Sequence, residues 1–178
     1  MSFPARSRHT LSRPVRDALR DRIIRPGITF LDYGCGKGDD VRILRELGYE
    51  AIGWDPQFYP CPPPQAAQVV NFGYVLNVIA DPSERAESLN RAYQLATEVL
   101  LVSAYVHNGC ATKTKTALPF GDGHLTGRGH FQKLFYHKEL GGYIEACLGV
   151  RPESADFGVF YIRRESGGPP PQMNEPVF

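Results

Sequence analysis

Three glycines within five residues, Gly34, Gly36 and Gly38, follow an apolar run and open a helical pattern, and this turn limits the possible folds more than any other feature. Ile28-Thr29-Phe30-Leu31 is short and apolar, as expected of a buried parallel strand. Beyond the turn, Val41, Ile43, Leu44 and Leu47 recur at helical spacing until Gly48, which reads as a C-cap. Ala51-Ile52-Gly53-Trp54 is then a second strand, closed by Asp55-Pro56. Strand, helix and strand in that order form one βαβ unit, so an α/β fold with a mostly parallel sheet is expected.

The 13 residues between Asp55 and Val69 hold Pro56, Pro60 and Pro62-Pro63-Pro64, which suit neither a helix nor a central strand. The sheet is therefore expected to be shortened by one helix and one strand after its second strand. Val69-Val70-Asn71 reads as the next strand. Asp81-Pro82-Ser83-Glu84 has the form of a capping box and opens a helix to about Thr97, followed by a strand from Glu98 to Ala104. Residues 105 to about 135 show no periodicity and are expected to be a long loop, either functional or disordered. Tyr136 to Leu148 reads as a helix, and Gly158 to Arg163 as a strand pairing with residues near 150. At the other end, Ser12-Arg13-Pro14 starts an amphipathic helix expected to end near Pro26-Gly27 and to cover one edge of the site. The organisation is thus a basic helical segment at 1–26, an α/β domain at 27–164, and a tail at 165–178 expected to be disordered.

A glycine-rich turn that opens a helix presents backbone N–H groups to a ligand, and a nucleotide-type ligand is the first idea. The spacing, however, is GxGxG and not GxGxxG, and carboxylates surround it: Asp32 at the strand end, Asp39 and Asp40 at the helix start. A pyrophosphate would be repelled there. S-adenosylmethionine (SAM), with an ammonium and a sulfonium, suffers no such penalty. Asp55, ending the second strand, suits two ribose hydroxyls, and Trp54 stands beside the adenine or in the core.

The chain has 178 residues, 42% of them hydrophobic, enough for one core. No apolar run would span a bilayer and no apolar signal core opens the chain, so a cytoplasmic protein is expected. The four cysteines have neither a CxxC pair nor a zinc spacing and read as free thiols. The net charge of +1 hides a segregation: +5 over residues 1–26, −5 over 27–110 and +3 over 111–164. Such blocks suit an anionic partner, DNA or RNA, through Arg6, Arg8, Arg13, Arg16, Lys113, Lys115, Arg128 and Lys133, or else form solvated faces.

The run Phe30-Leu31-Asp32-Tyr33-Gly34-Cys35-Gly36-Lys37-Gly38 with Gly53-Trp54-Asp55 resembles the class I SAM-dependent methyltransferases. More narrowly, Arg8-His9-Thr10, Ser12-Arg13-Pro14, Gly38-Asp39-Asp40, Gly53-Trp54-Asp55-Pro56, the stretch Val70 to Ile79, Gly127-Arg128-Gly129 and Phe131-Gln132-Lys133 resemble the methyltransferases associated with DNA phosphorothioation systems. The resemblance spans most of residues 8–164. It implies a Rossmann-like sheet, SAM as cofactor with S-adenosylhomocysteine (SAH) as product, and partner proteins of a DNA-modification system; the residue spacings give no reason to expect a metal. The cofactor residues it points to are Asp32, Tyr33, Gly34, Cys35, Gly36, Gly38, Asp39, Trp54, Asp55 and Asn71. The chain departs from that family in being shorter and in carrying Gln68 where an aspartate precedes the Val-Val-Asn strand, which implies an incomplete acidic contact to adenine.

Methyl transfer from a sulfonium is an in-line displacement that needs an aligned acceptor and a place for a proton. Asn71-Phe72-Gly73-Tyr74 has a spacing similar to the Asn/Asp-Pro-Pro-Tyr/Phe motif of exocyclic-amine methyltransferases, without the prolines, and makes Asn71 and Tyr74 catalytic candidates beside a plain polar strand end. Asn77 has a comparable claim. In the long loop, His124 or His130 is a candidate general base, Arg128 a phosphate contact, and Tyr105 and Phe131 are candidates to stack on a base. Asp122, His124 and His130 are too irregularly spaced for a convincing metal site. Methylation of nucleic acid or a nucleotide-like acceptor is the leading expectation. The alternatives are a small-molecule O- or N-methyltransferase and a catalytically degenerate SAM-binding accessory module.

Overall fold

A computed structural model describes residues 8–107 and 118–164 of the chain. Its central sheet has six strands in the order β2-β1-β3-β4-β9-β8. The strands β1 (Thr29–Tyr33), β2 (Glu50–Trp54), β3 (Ala67–Gly73) and β4 (Ala96–Ser103) run parallel, and β8 (Glu153–Asp156) with β9 (Val159–Arg163) closes one side as an antiparallel hairpin. The helices are α1 (Arg13–Arg20), α2 (Asp39–Glu46), α3 (Pro82–Leu95) and α4 (His137–Leu148). This is the mostly parallel Rossmann-like sheet expected from the sequence.

Both faces of the sheet are covered, which explains the unbroken apolar runs of the inner strands. Phe30, Val69 and Leu101 point to one face and meet Val15 and Ala18 of α1 and Val41 and Leu44 of α2. Their neighbours Leu31, Val70 and Leu100 point to the other, against Leu89 and Ala92 of α3 and Leu140 and Ile144 of α4. The two-residue period of a strand thus divides one apolar run between two cores. Between Asp55 and Ala67 there is neither helix nor named strand, so β2 is the edge of the sheet. Gln68, at the start of β3, accepts a hydrogen bond from the Thr29 N–H at 3.0 Å and donates to Glu98 at 2.7 Å. It lies at the opposite end of the strands from the glycine turn.

Two expectations are corrected. The first helix ends at Arg20, short of Pro26, because Arg22 takes a left-handed conformation with φ of 58° and turns Ile23 and Ile24 into the core. The region expected to be a loop carries a second sheet, β5 (Leu118–Phe120), β6 (Gly123–Leu125) and β7 (Phe131–Gln132), all antiparallel.

That small sheet is pinned by Arg85, only 1% exposed, which donates two hydrogen bonds to Asp122 at 2.7 and 3.0 Å and others to the carbonyls of Ile79 and Ala80. Lys133 adds ion pairs to Asp122 at 3.3 Å and Glu139 at 3.1 Å. Removing the carboxylate from a buried guanidinium leaves an uncompensated charge. Because Asp122 is itself partly exposed, Asp122→Ala is expected to cost about 2–3 kcal/mol, at the low end for such pairs. Thermal unfolding should register this as a midpoint lowered by roughly 4–10 °C.

Candidate functional site

The parallel strands end together: Tyr33 of β1 is level with Trp54 of β2, and Gly73 of β3 with Ser103 of β4. Between β1 and β3 the connections diverge to opposite sides, the place where open α/β sheets hold ligands. A cavity of about 1210 Å³ opens there. That exceeds the roughly 300–1,000 Å³ of a pocket for one drug-sized ligand and leaves space for two.

The floor is the glycine turn. Gly34 and Cys35 both donate their N–H to the Trp54 carbonyl, at 2.7 and 3.1 Å, which binds the turn to the end of β2. Gly34 has φ of 86°, and a Cβ there would overlap the Val75 methyl Cγ2. Gly53 also has no space for a side chain, since its Cβ would lie 2.9 Å from Cys35 Sγ. Asp55 receives the N–H groups of Gly36 at 3.0 Å, Gln57 at 2.9 Å and Phe58 at 3.1 Å. A carboxylate has about four acceptor positions, so Asp55 retains one and not the two expected for a ribose. Trp54 lines the cavity and packs on Tyr33 with ring centroids 4.6 Å apart.

The wall behind the turn is a buried carboxylate beside a buried amide. Asn71, 2% exposed, donates from Nδ2 to Asp32 Oδ1 at 2.8 Å, while its own Oδ1 has no partner among the described residues. Both residues line the cavity. Burial, and next the neighbouring Asp40 carboxylate, push Asp32 up to about 7, partly opposed by the Asn71 hydrogen bond and by Arg8. Asp40 receives the Ser12 N–H at 2.7 Å and the Arg8 guanidinium at 2.9 Å, and Asp39 receives the Arg8 N–H at 2.7 Å. These two carboxylates hold residues 8–12 across the edge of the cavity.

The other half of the cavity is aromatic. Tyr74 has φ of 64°, a strained value for a residue with a side chain, and its ring stacks on Tyr105 at 4.6 Å. Val78, Ile79, Phe120 and Phe131 complete that wall.

Compared with known proteins, residues 5–135 match the family described as methyltransferase domain. The chain belongs to the methyltransferase domain family. No curated protein matches it in sequence. Among solved structures, the methyltransferase is similar to the 1,6-didemethyltoxoflavin N1-methyltransferase of Burkholderia thailandensis, with TM-score 0.63, 18% identity, and 85% of this chain and 77% of that one covered. It is also similar to a sugar N-methyltransferase from Streptoalloteichus sp, with TM-score 0.57, 15% identity, and 93% and 99% covered. A third is the SAM-bound amino pentose methyltransferase from Micromonospora echinaspora, with TM-score 0.54, 12% identity, and 85% and 90% covered. At these identities the likeness is one of fold.

In this methyltransferase the cavity brings together Asp32, Tyr33, Gly34, Cys35, Gly36, Trp54, Asp55, Asn71 and Tyr74, all singled out in the sequence. Others stand elsewhere. Gly38 is the N-cap of α2 with φ of 74°, next to the Tyr59 ring, and Asp39 is held by Arg8; neither lines the cavity. His124 is also off the cavity, because its neighbour Leu125 takes the inward position and successive strand residues face opposite ways. Asn77 is fully buried and spent on the main chain of Tyr105 and Lys133.

Among the expected nucleic-acid contacts, Arg8, Arg13 and Lys133 are engaged within the chain, Arg13 with Asp156 and the Phe157 carbonyl. Arg16 is exposed and Arg128 is off the cavity. Arg6, Lys113, Lys115 and the tail at 165–178 lie outside the described residues. Asp122 serves Arg85, and no group of three or more potential ligands for a metal is found among the described residues. Nor is any helix there long and apolar enough to cross a membrane. His130, a candidate general base in the sequence, lines the cavity, whereas sequence reasoning missed Arg85 and Arg8 as parts of the site's frame. The opposite net charges of residues 1–26 and 27–110 were the available signal for the last.

Proposed function

We propose that the cavity binds SAM over the glycine turn and directs methyl transfer to a small-molecule amine or hydroxyl held at Asn71. The observation that carries this reading is the buried Asn71 oxygen, without a partner among the described residues, beside Asp32 in a cavity with room for two ligands. A buried polar atom without a partner costs free energy unless a ligand supplies one. The residues suit the cofactor. Gly34 and Gly36 leave the floor clear of side chains, Asp55 keeps one acceptor position for a ribose hydroxyl, and Asp32 offers a carboxylate to an ammonium. Bound there, SAM would supply an electrophilic methyl group.

The chain's own contribution is to orient and to handle a proton. Asn71 Oδ1 accepts the acceptor's N–H or O–H and turns its lone pair toward the methyl group. Asp32, poised near neutrality, favours a cation in its ionised form and can hold a proton in its neutral form. A nucleic-acid acceptor has less support, because Arg8, Arg13 and Lys133 are engaged within the chain. The likeness to phosphorothioation-associated methyltransferases rests on sequence alone.

SAH production from SAM, measured across a panel of small primary amines and phenols, tests the reading. Turnover with at least one acceptor is expected. Asn71→Ala should then lower kcat about a hundredfold, the scale of one lost orienting group, with the KM for SAM changed far less. SAM binding with no turnover on any acceptor would favour a SAM-binding accessory module instead.

A further inference from the structure

Beyond the site of transfer, the far half of the cavity has a chemistry of its own. Tyr105 is 53% exposed and lines the cavity, with its ring stacked on Tyr74 at 29° between planes. Its main chain is fixed on both sides: its N–H donates to Asn77 Oδ1 at 2.8 Å, and its carbonyl accepts from Phe135 N–H at 3.2 Å. Phe120, 50% exposed, lines the same cavity and meets the edge of Phe131 with centroids 6.2 Å apart. The sheet that carries Phe120 is anchored by the buried pair of Arg85 and Asp122. These are large, exposed, apolar rings on rigid supports, the arrangement that binds flat partners without an ordering cost.

The charge lining the cavity is one-sided. Carboxylates of Asp32, Asp40, Asp55, Glu84 and Glu87 face it. Among the described residues, the only arginine or lysine side chains in the lining are Arg8 and Arg91, which stand 2.9 Å from Asp40 and 3.8 Å from Glu87. A phosphate on the acceptor would meet repulsion from these carboxylates, offset only by Arg91, whose pairing with Glu87 is solvent-exposed.

We propose that the acceptor is a flat aromatic amine or phenol, neutral or cationic and free of phosphate, which stacks on Tyr105 in the cavity that Phe120 also lines, while its nucleophile reaches Asn71. The proposal rests on the methyl-transfer reading and specifies its substrate class. Tyr105 and Phe120 are its specificity-determining residues.

Equilibrium binding of defined probes to SAH-saturated protein tests it. 4-Aminoquinoline should bind at least about tenfold tighter than cyclohexylamine, the scale set by base–aromatic stacking. Pyridoxamine should bind more tightly than pyridoxamine 5′-phosphate. Tyr105→Ala should weaken 4-aminoquinoline about tenfold, whereas Tyr105→Phe restores it. Thermal unfolding checks that each variant is folded, and Phe120→Ala provides a second, independent loss. Equal affinity for the flat and saturated amines, preference for the phosphorylated probe, or indifference to Tyr105→Ala would overturn the proposal. The cofactor reading fails differently: no SAH binding, with Tyr105-dependent binding of 4-aminoquinoline intact, would count against SAM and for the aromatic subsite.

Discussion

Asp32→Asn is expected to weaken SAM binding about ten- to a hundredfold near pH 8, the value of one charge-assisted contact, and to abolish its dependence on pH. In the wild-type chain Asp32 sits between Asp40 and Asp55 in a buried position and is pushed up to about 7, with Asn71 and Arg8 opposing the shift. A cationic ligand favours the ionised carboxylate, so below about pH 7 binding must expel a proton. Affinity should then fall by up to about tenfold per pH unit. Titrations in buffers of different ionisation enthalpy would count that proton directly, and a proton count that survives in Asp32→Asn would assign the effect elsewhere.

The same carboxyl sets a stability cost of opposite consequence. An aspartate near 7 in the folded chain and near 3.9 when unfolded leaves the folded chain holding the extra proton between those values. Its contribution to stability therefore declines as pH rises across that window and is level above it. Asp32→Asn avoids burying the charge and should be more stable than wild type near neutrality, by about 2–4 kcal/mol. Better folding with poorer binding is the signature of a group retained for function.

Gly34→Ala is the second large effect. Its φ of 86° costs a side chain about 1–2 kcal/mol, and overlap with Val75 adds about 1–3 kcal/mol. Because Gly34 and Cys35 both bond the Trp54 carbonyl, the displaced turn should also lose ligand affinity. Adding Val75→Ala is expected to recover the steric part of the stability loss and not the backbone part. Chemical unfolding of the four chains in this cycle gives the coupling, which should exceed about 0.5 kcal/mol for residues in contact. Strict additivity would show that Val75 is not what Gly34 is made to avoid.

What the sequence made legible was local. The run from Phe30 to Asp55 carries its own strand, turn and helix signals, and Asp81 behaves as the predicted cap, accepting from Ser83 and Glu84 N–H groups. What it concealed was set by partners distant in the chain. The strands of the small sheet have three, three and two residues, too short for any period to register. Arg85 looks like one more polar residue of α3, yet its burial is set by Asp122, 37 residues on. The sequence places Asp39 and Asp40 together at the helix start; Asp40 lines the cavity while bonded to Arg8 and the Ser12 N–H, and Asp39 is held by the Arg8 N–H off the cavity. The opposite charges of the N-terminal and central segments are thus partly satisfied within the molecule, by Arg8 with Asp40 and Arg25 with Glu98, which weakens them as a sign of nucleic acid.

Calorimetric titration of SAM into the wild-type protein near neutral pH tests the central claim most directly. Saturable binding at a single site, displaced by SAH and accompanied by proton release, is the predicted result. No heat of binding under any pH, or tighter binding of a dinucleotide than of SAM, would contradict it.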